Sequence, residues 1–397
     1  MSTVAGQRRS SGSDRKSAIR FIVCLGIVSL FADMTYEGSR SILGPFLKEL
    51  GASATQVGLI AGFGEMCAAS LRLFSGRFAD RTRAYWTITI VGYSMNVIVV
   101  PALALAGNWK VAALLVIAER TGKSLRGPAR DVLLSEATDV VGHGWGFGLH
   151  AAFDQTGAVL GPLLMAAAVA QSNHFGPAFL RLAYPGAACL VALVLARWIN
   201  PGRGEAALQQ VRTEIPGIFW PYVAAAGLLA CGFVDFPLLA YHFQKTGLAK
   251  PAAIPLLYAL AMALNGVTAL LFGKLFDRYG IVALTWGILV SAMTLPLGFL
   301  GGTVAVVACV ICWGAGIGAQ DACLRSGIAQ VVSMEKRGSA FGTFNAVFGV
   351  MWFLGSAAMG FLYDHSIATL VAFGMAFQLA AAALFLWVRR PLAAARG

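Results

Sequence analysis

The chain has 397 residues, 58% of them hydrophobic and 12% charged, with a formal net charge of +12 and a mean hydropathy of +0.73. A water-soluble domain needs about a quarter of its residues charged to coat its surface, so this composition excludes one and points to a bundle immersed in lipid. Apolar runs of about 20 residues must then be helices, because lipid satisfies no backbone polar group, and they exclude a membrane β-barrel, whose strands are short and alternating.

Residues 1–17, rich in Ser, Gly and Arg, read as a disordered tail. Helical spans are predicted at 19–46, 54–75, 85–106, 109–131, 145–171 and 177–198. After a polar stretch, six more follow at 217–243, 252–272, 281–300, 303–325, 338–362 and 367–388. The expected organisation is an N-terminal bundle over 18–198, a linker over 199–216, a C-terminal bundle over 217–390 and a tail over 391–397.

Span one carries Asp33, Glu37 and Arg40 at steps of four and three, which places them on one helical face. Ionisable groups inside a membrane are costly and mark functional candidates. This face is expected to line a central cavity with its carboxylates as proton carriers, or else to hold spans together through a Glu37–Arg40 pair. Glu65 and Arg72 of span two share a face, with Glu65 either lining the cavity or pairing with span four. Span two is followed by Gly76-Arg77-Phe78-Ala79-Asp80-Arg81, expected to form the tight turn to span three.

Span four is unusual: Glu119 and Arg120 lie near its middle, followed by Lys123, Arg126 and Arg130 at three- and four-residue steps, then Asp131. Arg126 and Arg130 read as anchors at a basic membrane face, while Lys123 stands between anchor and solute contact. Span five places His150, Asp154 and Gln155 within one turn, either as a second proton site or as an interhelical hydrogen bond.

The second half is less charged. Asp235 reads as an isolated candidate in span seven, with His242 beyond it; Gln320, Asp321 and Arg325 fall in span ten, where Asp321 and Arg325 are spaced as an ion pair. Asn265 and Asn345 are further polar candidates, and Trp313 and Trp352 are candidates for an apolar pocket wall. After span eight, Gly273-Lys274-Leu275-Phe276-Asp277-Arg278 repeats the Gly-x-x-x-Asp-Arg pattern of Gly76 to Arg81. Gly144-Trp145-Gly146-Phe147-Gly148 and Gly338-Ser339-Ala340-Phe341-Gly342 likewise recur at the entries of spans five and eleven. Such duplication is what transporters use to place a binding site between two rocking halves.

Most Lys and Arg fall on one side of this topology, among them Arg77, Arg81, Arg83, Lys274, Arg278, Lys336 and Arg337. Lys48, Lys110, Arg181, Lys245 and Lys250 fall on the other. By the positive-inside rule both termini are cytoplasmic, so topology accounts for the basic balance and no nucleic-acid partner is needed. The seven cysteines lie in apolar spans and suggest no disulfide framework; Cys309-Val310-Ile311-Cys312 has redox or metal spacing but no neighbouring His or carboxylate cluster, so no metal or cofactor is expected.

With these strings in view, the chain resembles the major facilitator superfamily of secondary transporters over nearly its whole length. Gly76, Asp80, Arg81 and Arg83 fit the family's signature turn, although its second Gly is missing here; Gly273, Asp277, Arg278 and Gly280 fit the copy in the second half. Arg120 takes the place of the family's membrane-embedded Arg, with Thr121-Gly122-Lys123 in place of the usual Gln-Gly. Gly157-Ala158-Val159-Leu160-Gly161-Pro162 resembles an element of antiporter branches, though small-xxx-small spacing is also ordinary helix packing.

The resemblance implies an all-α membrane protein of twelve helices in two pseudo-symmetric six-helix bundles, in a prokaryotic inner or plasma membrane. It also implies a cytoplasmic gate in which Asp80 meets the start of span eleven near Gly338, Asp277 meets the start of span five near Gly144, and Arg81 or Arg83 pairs with Asp131. The expected function is alternating-access, proton-coupled export of a small organic solute by a monomer, with Arg120 as electrostatic partner of Asp33 and Glu37. The alternative is a symporter or uniporter of an anionic metabolite or metal complex. A membrane-embedded enzyme built on His150 and Asp154 would lack a nucleophile, a metal-ligand set and a phosphate loop.

Overall fold

A computed structural model describes residues 12–199, 216–332 and 337–394. It contains twelve membrane-length helical segments in chain order: α1 (Gly12–Glu49), α2 (Ala54–Thr82), α3 (Tyr85–Leu105), α4 (Trp109–Val141), α5 (His143–Ser172), α6 (Phe175–Ile199), α7 (Phe219–Thr246), α8 (Ala253–Tyr279), α9 (Ile281–Phe299), α10 (Thr303–Val331), α11 (Arg337–His365) and α12 (Ile367–Ala394). Eleven are apolar enough to cross a membrane by composition; α4 is as long but carries the charges that exclude it. Large apolar side chains such as Phe74, Leu105, Leu270 and Val304 stand exposed on the outside, as a lipid-facing surface requires.

Local sequence sets the helix ends. Ser53 and Gln56 form a capping box at the start of α2, and the Asn108 side chain accepts from the first N–H groups of α4. The span positions agree with those predicted from sequence, but several helices run further. α1 begins at Gly12, inside the stretch read as a tail; 1–11 and most of the 199–216 linker lie outside the described residues.

The Gly76–Arg81 string is not the turn itself but the last turn of α2, and Gly273–Arg278 likewise ends α8. Each helix stops at a residue of positive φ seven positions after its first Gly: Arg83 at 51° and Gly280 at 61°. Arg83 thus occupies the place where the second copy has Gly, and takes the left-handed conformation despite its Cβ.

Packing divides the bundle by level. On the face opposite the termini, one buried apolar cluster runs through both halves, from Ile42 and Phe46 of α1 to Phe236 of α7, Tyr258 of α8 and Trp313 of α10. Towards the face of the termini there are two separate clusters, one in the first half around Phe21, Tyr93 and Leu133, the other in the second around Tyr222, Phe276 and Phe385. The halves are therefore fused at one end and distinct at the other. Trp313, expected at a pocket wall, is instead fully buried in this core, its indole N–H donating to the Val234 carbonyl at 2.9 Å.

Close backbone approach holds α5 against α1. A Cβ at Gly157 would meet the Leu30 carbonyl, and one at Gly161 the Met34 carbonyl. The Gly-x-x-x-Gly-Pro string thus has a packing role in this fold, whatever else it does. α7 breaks at Gly232, and Asp235 caps its second part by accepting the Phe236 N–H at 2.9 Å.

Candidate functional site

Between the fused and the separate ends, the charged faces of α1, α2 and α4 meet the second half. Arg40 of α1 donates to Asp235 of α7 at 2.8 Å, so Asp235 is no isolated group but the partner of a cation from the other half. The Tyr258 hydroxyl of α8 donates to Glu37 at 2.5 Å, a second bond across the halves. Among the described residues Glu37 and Arg40 form no pair with each other; each is turned to the opposite bundle instead.

Glu65 sits behind this crossing, 3.8 Å from Arg40 and 3.5 Å from Arg120, and accepts the Tyr36 hydroxyl at 3.3 Å. Arg120 also lies 3.6 Å from Glu119, which accepts the Asn96 amide at 2.6 Å. Arg120 therefore partners Glu65 and Glu119. The expectation that it partners Asp33 and Glu37 is corrected: Asp33 pairs with Arg126, at 3.5 Å. Arg126 lies six residues beyond Arg120 along α4, nearly two helical turns, and it is Arg126 that reaches Asp33.

Arg126 was expected as a surface anchor but is buried, with its guanidinium over the Tyr93 ring at 4.3 Å. A cation buried on an aromatic face belongs to the interior. Nearer the face of the termini, Ser29 joins His150 at 3.0 Å, Tyr93 at 3.2 Å and Arg130 at 3.1 Å. Asp154 lies 3.4 Å from His150 and 3.9 Å from Arg130, so the expected His150–Asp154 pair is present and is tied to α1 and α4. Gln155 donates instead to the Met262 carbonyl of α8, across the halves.

The remaining candidates lie outside these ion pairs. Lys123 enters no ion pair among the described residues; its ammonium stands 3.2 Å over the Tyr36 ring. Asp321 and Arg325 are both exposed and do not approach within 4.0 Å of each other. Gln320 is buried and Asn345 half-buried, and neither hydrogen-bonds to a member of this network among the described residues. His242 lies away from the network, bonded to Tyr363 at 2.9 Å.

Among the described residues, the expected gate contacts are not formed. Asp131 pairs with its neighbour Arg130 at 2.8 Å rather than with Arg81 or Arg83. Asp80 accepts the Tyr85 hydroxyl at 3.1 Å, in its own half. The loop just before Gly338, at 333–336, lies outside the described residues. Asp277 is exposed, and a Cβ on Gly144, its expected neighbour, would meet nothing within 4 Å.

Tyr36, Tyr258, Ser29, Tyr93 and Asn96 were missed as members of the site. Single hydroxyls and amides in apolar helices carry no spacing signal, and only the pairing of halves gives them partners. Among the described residues no group of three or more His, Cys, Asp or Glu is arranged to hold a metal ion.

Comparison with known proteins matches this fold. The sequence profile of the Major Facilitator Superfamily matches residues 25–356 and 236–396. An uncharacterized protein of Mycobacterium tuberculosis is 41% identical over 385 residues, covering 94% of each chain. An uncharacterized MFS-type transporter of Methanocaldococcus jannaschii is 24% identical over 406 residues, covering 96% of this chain and 98% of its own. Among solved structures, the nucleoside transporter NupG superposes with a TM-score of 0.74 at 15% identity, over 93% of this chain and 98% of its own. A bacterial homologue of the lysosomal transporter Spinster, in an inward-facing and occupied conformation, gives 0.73 at 15% identity, over 96% and 98%. At such identities the structural likeness is one of fold.

Proposed function

The chain belongs to the major facilitator superfamily, and from that premise we propose that it exports a small organic solute by alternating access, coupled to protons through Asp33 and Glu37. It is an integral membrane transporter of this family type, not an enzyme. The moving units are the bundles 18–198 and 217–390, joined by 199–216. The gathering of Lys and Arg at the face of the termini supports a cytoplasmic position for that face, and bacterial and archaeal relatives support a prokaryotic plasma membrane.

The observation that carries the coupling is the double crossing from α1: Arg40 to Asp235 and Glu37 to Tyr258. Both bonds must break when the halves separate at the fused end. A proton on Glu37 removes the charge that Tyr258 now solvates, so protonation and opening share that contact, while a proton on Asp33 releases Arg126 within the first half. Arg40, Glu65, Arg120, Lys123, His150, Asp154, Gln155 and Asp235 complete the cavity-facing set. Gln320, Asp321 and Asn345 are candidates on the second half, and Asp80 and Asp277 are candidates for closure of the other face. Export is supported by the antiporter-like string at Gly157 to Pro162 and by the acidic residues of span one.

The test is transport in liposomes under an imposed pH gradient. Asp33→Asn or Glu37→Gln is expected to abolish gradient-driven movement while leaving solute exchange. Unchanged gradient-driven transport in both variants would remove the two carboxylates from the coupling.

A further inference from the structure

Arg120, Lys123 and Arg126 follow one another at three-residue steps along α4, and their contacts show that they turn towards α1 and α3. The Arg120 guanidinium lies 4.5 Å from the centre of the Tyr36 ring and the Lys123 ammonium 3.2 Å from it, so two cations share one aromatic ring. Two like charges held together in a membrane interior repel, and the ring quadrupole offsets only part of that.

Their hydrogen-bonding capacity is also unfilled. Arg120 Nε and Nη1 and Arg126 Nη1 are buried with no acceptor, and Arg40 Nε is in the same position. Lys123 has no carboxylate within 4.0 Å among the described residues. The neighbouring carboxylates do not supply what is missing. Asp235 is taken by Arg40 and Glu37 by Tyr258 from the other half, and Glu65 and Glu119 reach Arg120 only at 3.5 and 3.6 Å. A guanidinium has five donors, and two long carboxylate contacts leave several of those of Arg120 free. Buried donors without acceptors are penalised, and this penalty falls on several groups at one place.

We propose that the α4 face of Arg120 and Lys123, floored by the Tyr36 ring and backed by Arg126, is the binding site for an organic anion whose carboxylate or phosphate oxygens fill these orphaned donors. This rests on the reading of the chain as a carrier of small organic solutes and names their charge class. Planar guanidinium donors match carboxylate and phosphate oxygens, and a mobile ammonium beside them adapts to either. Arg120 and Lys123 are thereby solute-binding groups, and Arg40, committed to Asp235, is a cross-half tie.

The experiment is thermal unfolding of the purified full chain in detergent with a panel of mono-, di- and tricarboxylates and phosphate monoesters. Choline and glucose serve as cationic and neutral probes, and inorganic sulfate at matched ionic strength is the ionic control. At least one organic anion is expected to raise the unfolding temperature where sulfate, choline and glucose do not. Lys123→Met, which keeps the stem over Tyr36, is expected to weaken that anion about ten-fold, and Lys123→Arg to retain it. Gel filtration shows whether Lys123→Met is folded. Stabilisation by no organic anion, or equal stabilisation of the wild type and Lys123→Met, overturns the site. Binding of an anion whose movement ignores an imposed pH gradient would uphold this site and overturn the proton coupling, so the two readings fail separately.

Discussion

The Asp364 carboxylate, at the end of α11 in the second half, accepts the backbone N–H of Thr55 at 2.9 Å and its hydroxyl at 2.7 Å, in the first turn of α2 in the first half. It also accepts the Ala54 N–H at 3.3 Å. An anion on unsatisfied helix N–H groups is stabilised by both the bonds and the helix dipole. The repeated Asp80 and Asp277 strings led us to expect this device on the face of the termini. In this structure it operates on the opposite face, supplied by an Asp outside the repeat. It closes the same end at which a single apolar cluster joins the halves.

Asp364→Ala is therefore expected to loosen that closure without unfolding either half. The carboxylate is largely exposed, so its bonds contribute about 1 kcal/mol rather than the larger value of a buried charge. That corresponds to roughly a five-fold rise in the population open at this face. Spin labels at Leu59 and Phe361, both exposed near the junction, would report it as a second, longer distance. An unchanged distance distribution would show that apolar packing alone holds the face shut.

The Arg40–Asp235 pair predicts strong non-additivity. Arg40→Leu leaves the Asp235 carboxylate, 4% exposed, without its cation, a change that costs about 3–5 kcal/mol in buried pairs. Asp235→Asn is expected to be milder, since the amide oxygen still accepts the Phe236 N–H and Arg40 keeps Glu65 within 3.8 Å. The double variant should be more stable than Arg40→Leu alone. Denaturant unfolding of the four proteins closes the cycle, and simple additivity would mean that the two groups are not coupled.

Hydropathy made the fold legible because a lipid environment leaves few alternatives: apolar runs of this length must be helices, and two similar sets of six must pack as halves. The stripe Asp33–Glu37–Arg40 was likewise legible, since intramembrane charge at helical spacing has to face the interior. Its partners were not. Glu37 meets Tyr258 across 221 residues of chain and Arg40 meets Asp235 across 195, and nothing in local spacing encodes which half supplies the partner. The same holds for Arg126: in sequence it continues a basic stripe towards a membrane face, and only the position of Asp33 and the Tyr93 ring shows it to be interior. The latch is a different case. The signature identifies residues able to close one face, whereas this structure is closed at the other.

The seat of α5 on α1 yields a contrast between two glycines of one helix. A Cβ at Gly161 would lie against the Met34 carbonyl and the Gly38 amide, while one at Gly148 meets nothing within 4 Å. Gly161→Ala is expected to force the helices apart and lower stability by about 1–3 kcal/mol. Gly148→Ala should be neutral or slightly stabilising, because Ala favours helix over Gly. Since α1 carries Asp33 and Glu37, Gly161→Ala should also impair transport in liposomes. Equal unfolding temperatures for the two variants would sink the packing account.

The two helix ends that follow the repeated strings differ in what they tolerate. Arg83 ends α2 at φ 51° and ψ 20°, a left-handed conformation that a Cβ makes unfavourable by about 1 kcal/mol. Gly280 ends α8 at φ 61° and ψ −139°, a region essentially restricted to Gly. Arg83→Gly should relieve strain, offset in part by the greater freedom of Gly in the unfolded chain, and so stabilise by somewhat under about 1 kcal/mol. Gly280→Ala should destabilise by about 1–3 kcal/mol. Neither residue pairs with Asp131 or reaches the charged network, so both variants should keep solute binding. Thermal unfolding in one detergent checks the opposite signs; a shift of both in the same direction would mean that backbone conformation does not set the stability of these caps.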